Sequence, residues 1–527
     1  MKPGYSVFSW LCIAVGVLPA AAAPISFNRD VRPILANHCF ACHGPDGGQR
    51  QAELRLDIEE LAKADRDGSF VIQPGNVVAS MLVTRIQESD QDLIMPPPHF
   101  QKPLTDQQRE MLKRWIEEGA IWESHWAFRP LQRSQPPRIR GAKILNEIDS
   151  FIIDHLQHAS SGLTQSKVAD KMTLVRRASF DLRGLPPSVN EVQKFVSGDV
   201  TYEALIDSFL ASESFGERMA QYWLDLVRYA DSGGYHSDVT VHISPYRDYV
   251  IQSFNDNLPF DQFTIEQLAG DLLPAPTEWQ MIATGYNRLN KTTEEGGAQP
   301  GEYLVKYAAD RIRTTSGVWL GITLGCAECH DHKYDPFTAR DFYSFGAFFA
   351  DIKEVGQYGG GNRDPEIRVA TLPQRRELQR IELALQDAID GQQQAKVNEL
   401  TEAKAAIEKQ FIRTMITKSV APREIRILPR GDWLNKTGIV VQPEVPVSLS
   451  LDTVDREHRL TRLDLANWVV ADENPLTSRV FVNRMWRLLF GRGISPRLDD
   501  FGAQGEPPTH PEPVSYTHLT LPTNREV

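Results

Sequence analysis

The sequence predicts a mainly α protein: a small helical domain, a larger mostly helical domain, a short β-rich segment and a truncated C-terminal helical domain. Three observations predict it. Apolar residues recur at helical spacing in separate stretches, as in Phe27, Val31, Ile34 and Leu35, in Leu104, Met111, Leu112, Trp115 and Ile116, and in Ile148, Ile152 and Leu156. A helix-start signal, Thr105-Asp106-Gln107-Gln108, stands before one such run as a capping box. Strand-like alternation is confined to residues 423–452, where Ile425, Ile427 and Val440 to Val445 are broken by Gly and Pro. A chain of 527 residues exceeds what one core supports and divides into about three or four domains.

Composition narrows the partners. Hydrophobic content of 41% and charged content of 24% are those of a soluble globular protein. A net charge of -12 argues against nucleic acid, because no excess of Lys and Arg remains to neutralise phosphates, and against docking on an anionic membrane. A small basic redox partner suits it better.

Taken in order, residues 1–23 read as a secretory signal: Lys2, an apolar core from Val7 to Leu18 too short to span a bilayer comfortably, and small residues at Pro19 to Ala23. Cys12 lies inside that core. The reading is a periplasmic or otherwise exported protein with no stable membrane span once the signal is removed; an uncleaved anchor is the alternative. Residues 24–122 form the first domain, whose last helix carries the Leu104–Ile116 stripe and closes at Gly119. A Pro-, Arg- and Gln-rich linker covers 123–142, and a mostly helical domain covers 143–355, with Trp223, Tyr229 and Trp319 as core aromatics. Residues 373–416 read as a charged helical hairpin around Gly391, or one long helix, acting as a spacer. Residues 423–512 hold the β-rich segment and the start of a C-terminal domain. Residues 513–527 have no helical period and read as a foreign or disordered tail.

The chemistry sits in the cysteines. Cys39-Phe40-Ala41-Cys42-His43 and Cys326-Ala327-Glu328-Cys329-His330 are two copies of CxxCH, the attachment pattern of c-type haem. Each thiol adds to one vinyl group of the porphyrin, and the adjoining imidazole lies under the iron. Of five cysteines four belong to these motifs, so with Cys12 removed none is left for a structural disulfide. The expected cofactor is haem c, covalently attached, in two copies, with Cys39, Cys42, His43, Cys326, Cys329 and His330 as the holding residues.

The first motif is preceded by a helix and followed by a loop, Met95-Pro96-Pro97-Pro98 and a final amphipathic helix. In that order residues 26–122 resemble a class I cytochrome c domain of the planctomycete type. The resemblance implies His43 as proximal and Met95 as distal iron ligand, a pair that raises the reduction potential relative to two nitrogens. Met81, beside Leu82 and Val83, is the runner-up and reads as plain burial. Further on, Asp181-Leu182-Arg183-Gly184-Leu185-Pro186-Pro187, Tyr246-Arg247-Asp248-Tyr249-Val250, Gln267-Leu268-Ala269-Gly270-Asp271 and Cys329 to Pro336 resemble the planctomycete domain of unknown function that accompanies this cytochrome domain. Asn483 to Trp486 and Leu489 to Gly493 resemble a third such domain, beginning near Leu460. The resemblance implies no settled activity.

The second motif has no Met-Pro after it. His330 would be the proximal ligand; His236, His242 and Met219 are candidates for the opposite face, or the sixth position is open. Cys326, Cys329, His330 and His332 also number enough ligands for zinc, and the thiols could form a redox disulfide. The first motif in an exported chain favours haem. Electron transfer to an unidentified redox partner is the preferred function. A peroxidase-like haem enzyme, with His236 as acid or base, and a carbohydrate-handling scaffold with an accessory cytochrome are the alternatives. Glu294-Glu295-Gly296-Gly297 reads as an exposed turn.

Overall fold

The computed structural model describes residues 25–132, 134–158, 163–235, 238–359, 363–451 and 458–510. The signal segment, Cys12, His236 and the tail at 513–527 lie outside the described residues. The protein is mainly α, with strands of four residues at most among the described residues. It divides into two compact units, one of residues up to 43 with 53–123, the other of 44–52 with the chain from 124 onward.

In the smaller unit Ser26 caps a turn at Phe27–Val31 that leads into α1, Arg32–His38, and then α2, Phe40–His43. Phe27, Val31, Ile34 and Leu35 are all buried, as their spacing predicts. Helix α3, Met81–Gln87, buries Leu82, Val83 and Ile86. Helix α4, Asp106–Glu117, starts at the Thr105/Gln108 capping box, buries Leu112, Trp115 and Ile116, and stops where Gly119 takes φ of 102°. The Phe27 ring lies 5.5 Å from that of Trp115 and 4.1 Å from that of Trp122. The two ends of the domain are thus closed on each other by aromatic packing.

The larger unit begins before the linker region ends: Ala127 is fully buried in its core, and Arg479 donates to the carbonyls of Ala127 and Arg129. Helices α5 (Lys171–Arg183), α6 (Val189–Ser197) and α7 (Tyr202–Leu210) pack around Val175, Phe195, Leu205 and Phe209. The main core is built on α8 (Glu213–Leu226), α9 (Ser244–Asn255), α10 (Phe260–Ala269), α11 (Pro300–Thr315) and α12 (Ala339–Ala347). Trp223 and Trp319 are buried in it and Tyr229 packs on its edge. Two helices, α13 (Leu372–Asp390) and α14 (Gln394–Glu408), form a hairpin whose turn is at Gly391. Its ends are joined by an antiparallel pair, β1 (Glu366–Val369) with β2 (Ile412–Met415). Among the described residues of 423–451, β3 (Ile425–Arg426) pairs with β4 (Val440–Val441), and Ile427 N–H adds one bond to the Ile439 carbonyl at 3.0 Å. The rest of that apolar run cannot extend the ladder, since Pro443 and Pro446 have no N–H to give. Helices α15 (Arg462–Val469) and α16 (Pro475–Phe490) complete the unit.

Motif residues of the larger unit turn out to be core fasteners. Gln267 is fully buried and its carbonyl accepts from Trp223 Nε1 at 2.9 Å and the Tyr246 hydroxyl at 2.6 Å. Gly270 lies so close to α10's neighbour that an added Cβ would sit 2.4 Å from the Gln280 carbonyl oxygen. Gly184, at φ of 69°, ends α5, and Arg183 pairs with Glu191 at 2.9 Å.

Candidate haem-attachment sites

The first motif runs from Cys39, the cap of α1, through all of α2. Backbone bonds from Cys39 to Leu35 (2.8 Å), Cys42 to Cys39 (3.1 Å) and His43 to Cys39 (2.8 Å) tie the motif together around Cys39, which at φ of -124° is the joint between α1 and α2. Cys39 and Cys42 thus stand at the start and near the end of this short turn of helix. Both are free and half-buried, and burial, with Cys42 nearby, pushes the Cys39 thiol up to about 12. The motif's end is pinned by Leu56, whose N–H donates to the His43 carbonyl at 2.8 Å. Phe40, Leu54 and Leu56 bury apolar side chains around it. The neighbouring His38 is committed elsewhere, to the Lys102 carbonyl at 2.9 Å and Gln108 Nε2 at 3.4 Å. Two free thiols, an adjoining imidazole and apolar neighbours fit a covalently held porphyrin. Met95 lies in the same unit, on the loop after α3, 36% exposed, its N–H bonded to the Arg85 carbonyl at 2.9 Å. Met81 is 40% exposed at the first position of α3, which overturns its reading as a buried residue: helical phase puts Leu82 and Val83 inward and Met81 outward.

The second motif begins inside a short 3-10 turn, Leu324–Glu328, and leaves it at Cys329. Cys326 and Cys329 are exposed free thiols. Burial of the Cys326 sulfur and then the carboxylates of Asp500 and Asp335 push its pKa up. Glu328 pairs with Arg313, and its carbonyl accepts from the Tyr343 hydroxyl at 2.9 Å. Gly431, at φ of 73°, brings its backbone close to Cys329: a Cβ there would lie 3.1 Å from Sγ. His330 is exposed, and its Nδ1 bonds the Asp331 carbonyl at 2.8 Å, which places the proton on Nδ1 and leaves the lone pair on Nε2. The donor set fits thioether attachment.

His332 has a different role. It is 1% exposed, Nδ1 accepts from the N–H groups of Tyr334 (3.2 Å) and Asp335 (2.9 Å), and Nε2 bonds Thr323 Oγ1 at 3.0 Å. Backbone donors on Nδ1 assign the proton to Nε2. Zinc ligation by His332 would have to break these bonds, and among the described residues no group of three or more His, Cys, Asp or Glu is gathered to hold a metal ion. The loop from Cys329 to Phe337 is thereby built around a neutral histidine. It is also tied to the distant C-terminal segment, where Ala503 N–H donates to Asp335 Oδ1 at 2.8 Å. Burial, then Asp335, raises the pKa of neighbouring Asp500.

The distal candidates fall in other surroundings. His242 Nδ1 faces Glu366 Oε1 of β1 at 3.4 Å. Met219 is buried in α8, beside Trp223, Phe254 and Trp319 around an apolar cavity. Glu294 is not a plain exposed turn residue: it pairs at 2.6 Å with Arg363, which is 2% exposed. Sequence reasoning missed Asp500, Gly431 and Tyr343 near the second motif. Each joins it only through tertiary folding, and no local signal marks them.

With this geometry in hand, comparison with known families gives three matches. Residues 39–99 match the family described as planctomycete cytochrome C, residues 147–354 a protein of unknown function (DUF1549), and residues 461–519 a protein of unknown function (DUF1553). The N-terminal match is thus to a c-type cytochrome domain. More particularly, the chain has the multidomain architecture of a planctomycete-type cytochrome c domain followed by DUF1549 and DUF1553 domains. The cytochrome match contains Cys39, Cys42, His43 and Met95, and the DUF1549 match contains Cys326, Cys329 and His330. No curated protein and no solved structure matches the chain. Among the described residues no helix is long and apolar enough to cross a membrane.

Proposed function

We propose that the protein is an exported di-haem electron carrier. One observation supports the reading: both CxxCH motifs keep two thiols out of disulfides beside a histidine, and at the second the His330 Nδ1 is taken by the Asp331 carbonyl, which leaves the Nε2 lone pair for a ligand role. When bound, the haems supply the Fe(III)/Fe(II) couple. The chain's own contribution is to hold each porphyrin by two sulfurs and to offer His43 with Met95 at one site and His330 at the other. Different ligand sets give the two sites different potentials, and so a direction to electron flow. The net charge of -12 favours a basic redox partner. A carrier is preferred to a peroxidase-like enzyme because two CxxCH motifs and a Met95 candidate ligand account for electron transfer without an acid or base, whereas His236, the histidine weighed for that role, lies outside the described residues.

The test is a count. Full-length protein made with a working cytochrome maturation system should hold two covalent haems and two irons per chain, and Cys326→Ala with Cys329→Ala should hold one. Unchanged haem in that double variant, or zinc in place of the second iron, overturns the di-haem reading. Peroxide turnover by the purified protein would overturn the carrier reading.

A further inference from the structure

We infer that a cavity beside the second motif is a binding site for a small aromatic carboxylate. The cavity, of about 360 Å3, lies between α11, α12 and the stretch from Arg423 to Lys436. That volume falls within the range of small-molecule pockets, about 300–1,000 Å3. Its lining is graded. Leu304 and Ile312 of α11 and Phe342 of α12 supply an apolar floor, while Tyr343 and Trp433 supply aromatic walls. Trp433 is seated by Gly301, where a Cβ would stand 3.3 Å from its ring. The packing thus holds the indole at the cavity wall, and aromatic walls favour a flat, apolar ring as the occupant.

The polar end of the cavity selects for negative charge. Its cationic lining residues are Arg423, Arg426 and Lys436, against one carboxylate, Glu424. Arg423 is committed to the buried Glu354 at 2.8 Å, and Arg426 pairs with Glu424 at 2.7 Å. Lys436 is exposed and, among the described residues, has no carboxylate within ion-pair distance. In a chain of net charge -12, a local excess of cations around an apolar cavity favours an anion. A ring held against Trp433 with its carboxylate toward Lys436 satisfies both halves. The site also touches the CxxCH motif. Tyr343 and Leu428 line the cavity, and the Tyr343 hydroxyl bonds both the Leu428 carbonyl (3.3 Å) and the Glu328 carbonyl.

The experiment is calorimetric titration of the full-length haem-loaded protein with 2-naphthoate, and with the uncharged 2-naphthalenemethanol as control. The expected result is saturable binding of 2-naphthoate at one site per chain. It should weaken about tenfold or more in Lys436→Glu, as expected for loss and reversal of one charge contact, be retained in Lys436→Arg, and weaken in Trp433→Ala. Because Lys436 is exposed, its variants test the site even where Trp433→Ala fails to fold. Absence of saturable 2-naphthoate binding overturns the proposal, as does equal binding of the alcohol or an unaffected Lys436→Glu variant. Binding only when Cys326→Ala and Cys329→Ala remove the second haem would make the cavity the porphyrin's own seat, and would equally overturn a separate ligand site. Since binding is read independently of haem count, failure here leaves the di-haem reading standing.

Discussion

Replacing Arg462 by Met should destabilise the larger unit by about 3–5 kcal/mol, the usual cost of leaving a buried charge without its partner. The side chain is fully buried, and Asp271 and Asp351 on either side are 3% and 10% exposed. Its five N–H donors meet five acceptors: Nε and Nη2 reach Asp351 at 2.9 and 3.1 Å, Nη1 and Nη2 reach Asp271 at 2.7 and 2.8 Å, and Nη1 also reaches the Leu268 carbonyl at 2.9 Å. Burial alone would lower the guanidinium pKa, but the two carboxylates outweigh it and raise it. Without the arginine, the two buried carboxylates lose their shared counter-charge, and Asp351 keeps the field of Arg459. At roughly 2 °C per kcal/mol for a large domain, melting followed by circular dichroism should fall by about 6–10 °C. Arg462→Lys should also lose stability, since an ammonium cannot reproduce the planar fork. Adding Asp271→Asn and Asp351→Asn to Arg462→Met should recover much of the loss. The Met variant's deficit should shrink on mild acidification, because unpaired buried carboxylates take up protons more readily when folded than when unfolded. A melting point within about 2 °C of the parent, or a deficit that grows toward acid pH, would refute the argument.

Glu354, 1% exposed, gives a second pH signature. Burial would raise its pKa, but Arg311 and Arg423 outweigh burial and lower it. Its contribution is therefore full above the ordinary carboxylate range and fades as pH falls through the depressed folded value. Glu354→Gln should lower the urea midpoint at neutral pH and flatten its decline toward acid. Asp500 has the opposite sign: burial and Asp335 raise its carboxyl pKa, so its ionisation costs stability as pH rises through that value. Asp500→Asn should raise the neutral-pH urea midpoint and leave the acid midpoint nearly unchanged. Met95→Ala, made on the Cys326→Ala/Cys329→Ala background so that one haem remains, should convert the oxidised haem to a high-spin absorption spectrum; an unchanged spectrum would remove Met95 as a ligand.

The helical class was legible because its signals are local. The Phe27–Leu35 spacing and the Thr105/Gln108 capping box each act within a few residues, and both are realised. The strands were not legible in the same way. Residues 440–445 look apolar enough for a longer strand, yet two prolines stop the pairing after Val441. β1 and β2 are four residues each, separated by the whole α13–α14 hairpin, so nothing local announces their pairing. The thiols and imidazoles of the two motifs were readable as a set because CxxCH is itself a local arrangement. The residues that surround the second motif, Asp500, Gly431 and Tyr343, meet it only across more than a dozen residues of intervening chain or far more.

His332 shows how the fold narrows what spacing leaves open. By sequence, His330 and His332 are equivalent donors beside Cys326 and Cys329. In the folded chain His330 is exposed with Nδ1 on a carbonyl, whereas His332 is buried with Nδ1 accepting two N–H groups. A zinc site needs both imidazoles turned toward the sulfurs; thioether attachment needs only His330. His332→Gln keeps an acceptor for the loop and removes the second imidazole. It should therefore leave the covalent haem count unchanged while lowering the melting temperature. Loss of metal from His332→Gln with the loop's stability intact would reverse the assignment and make the histidine a ligand.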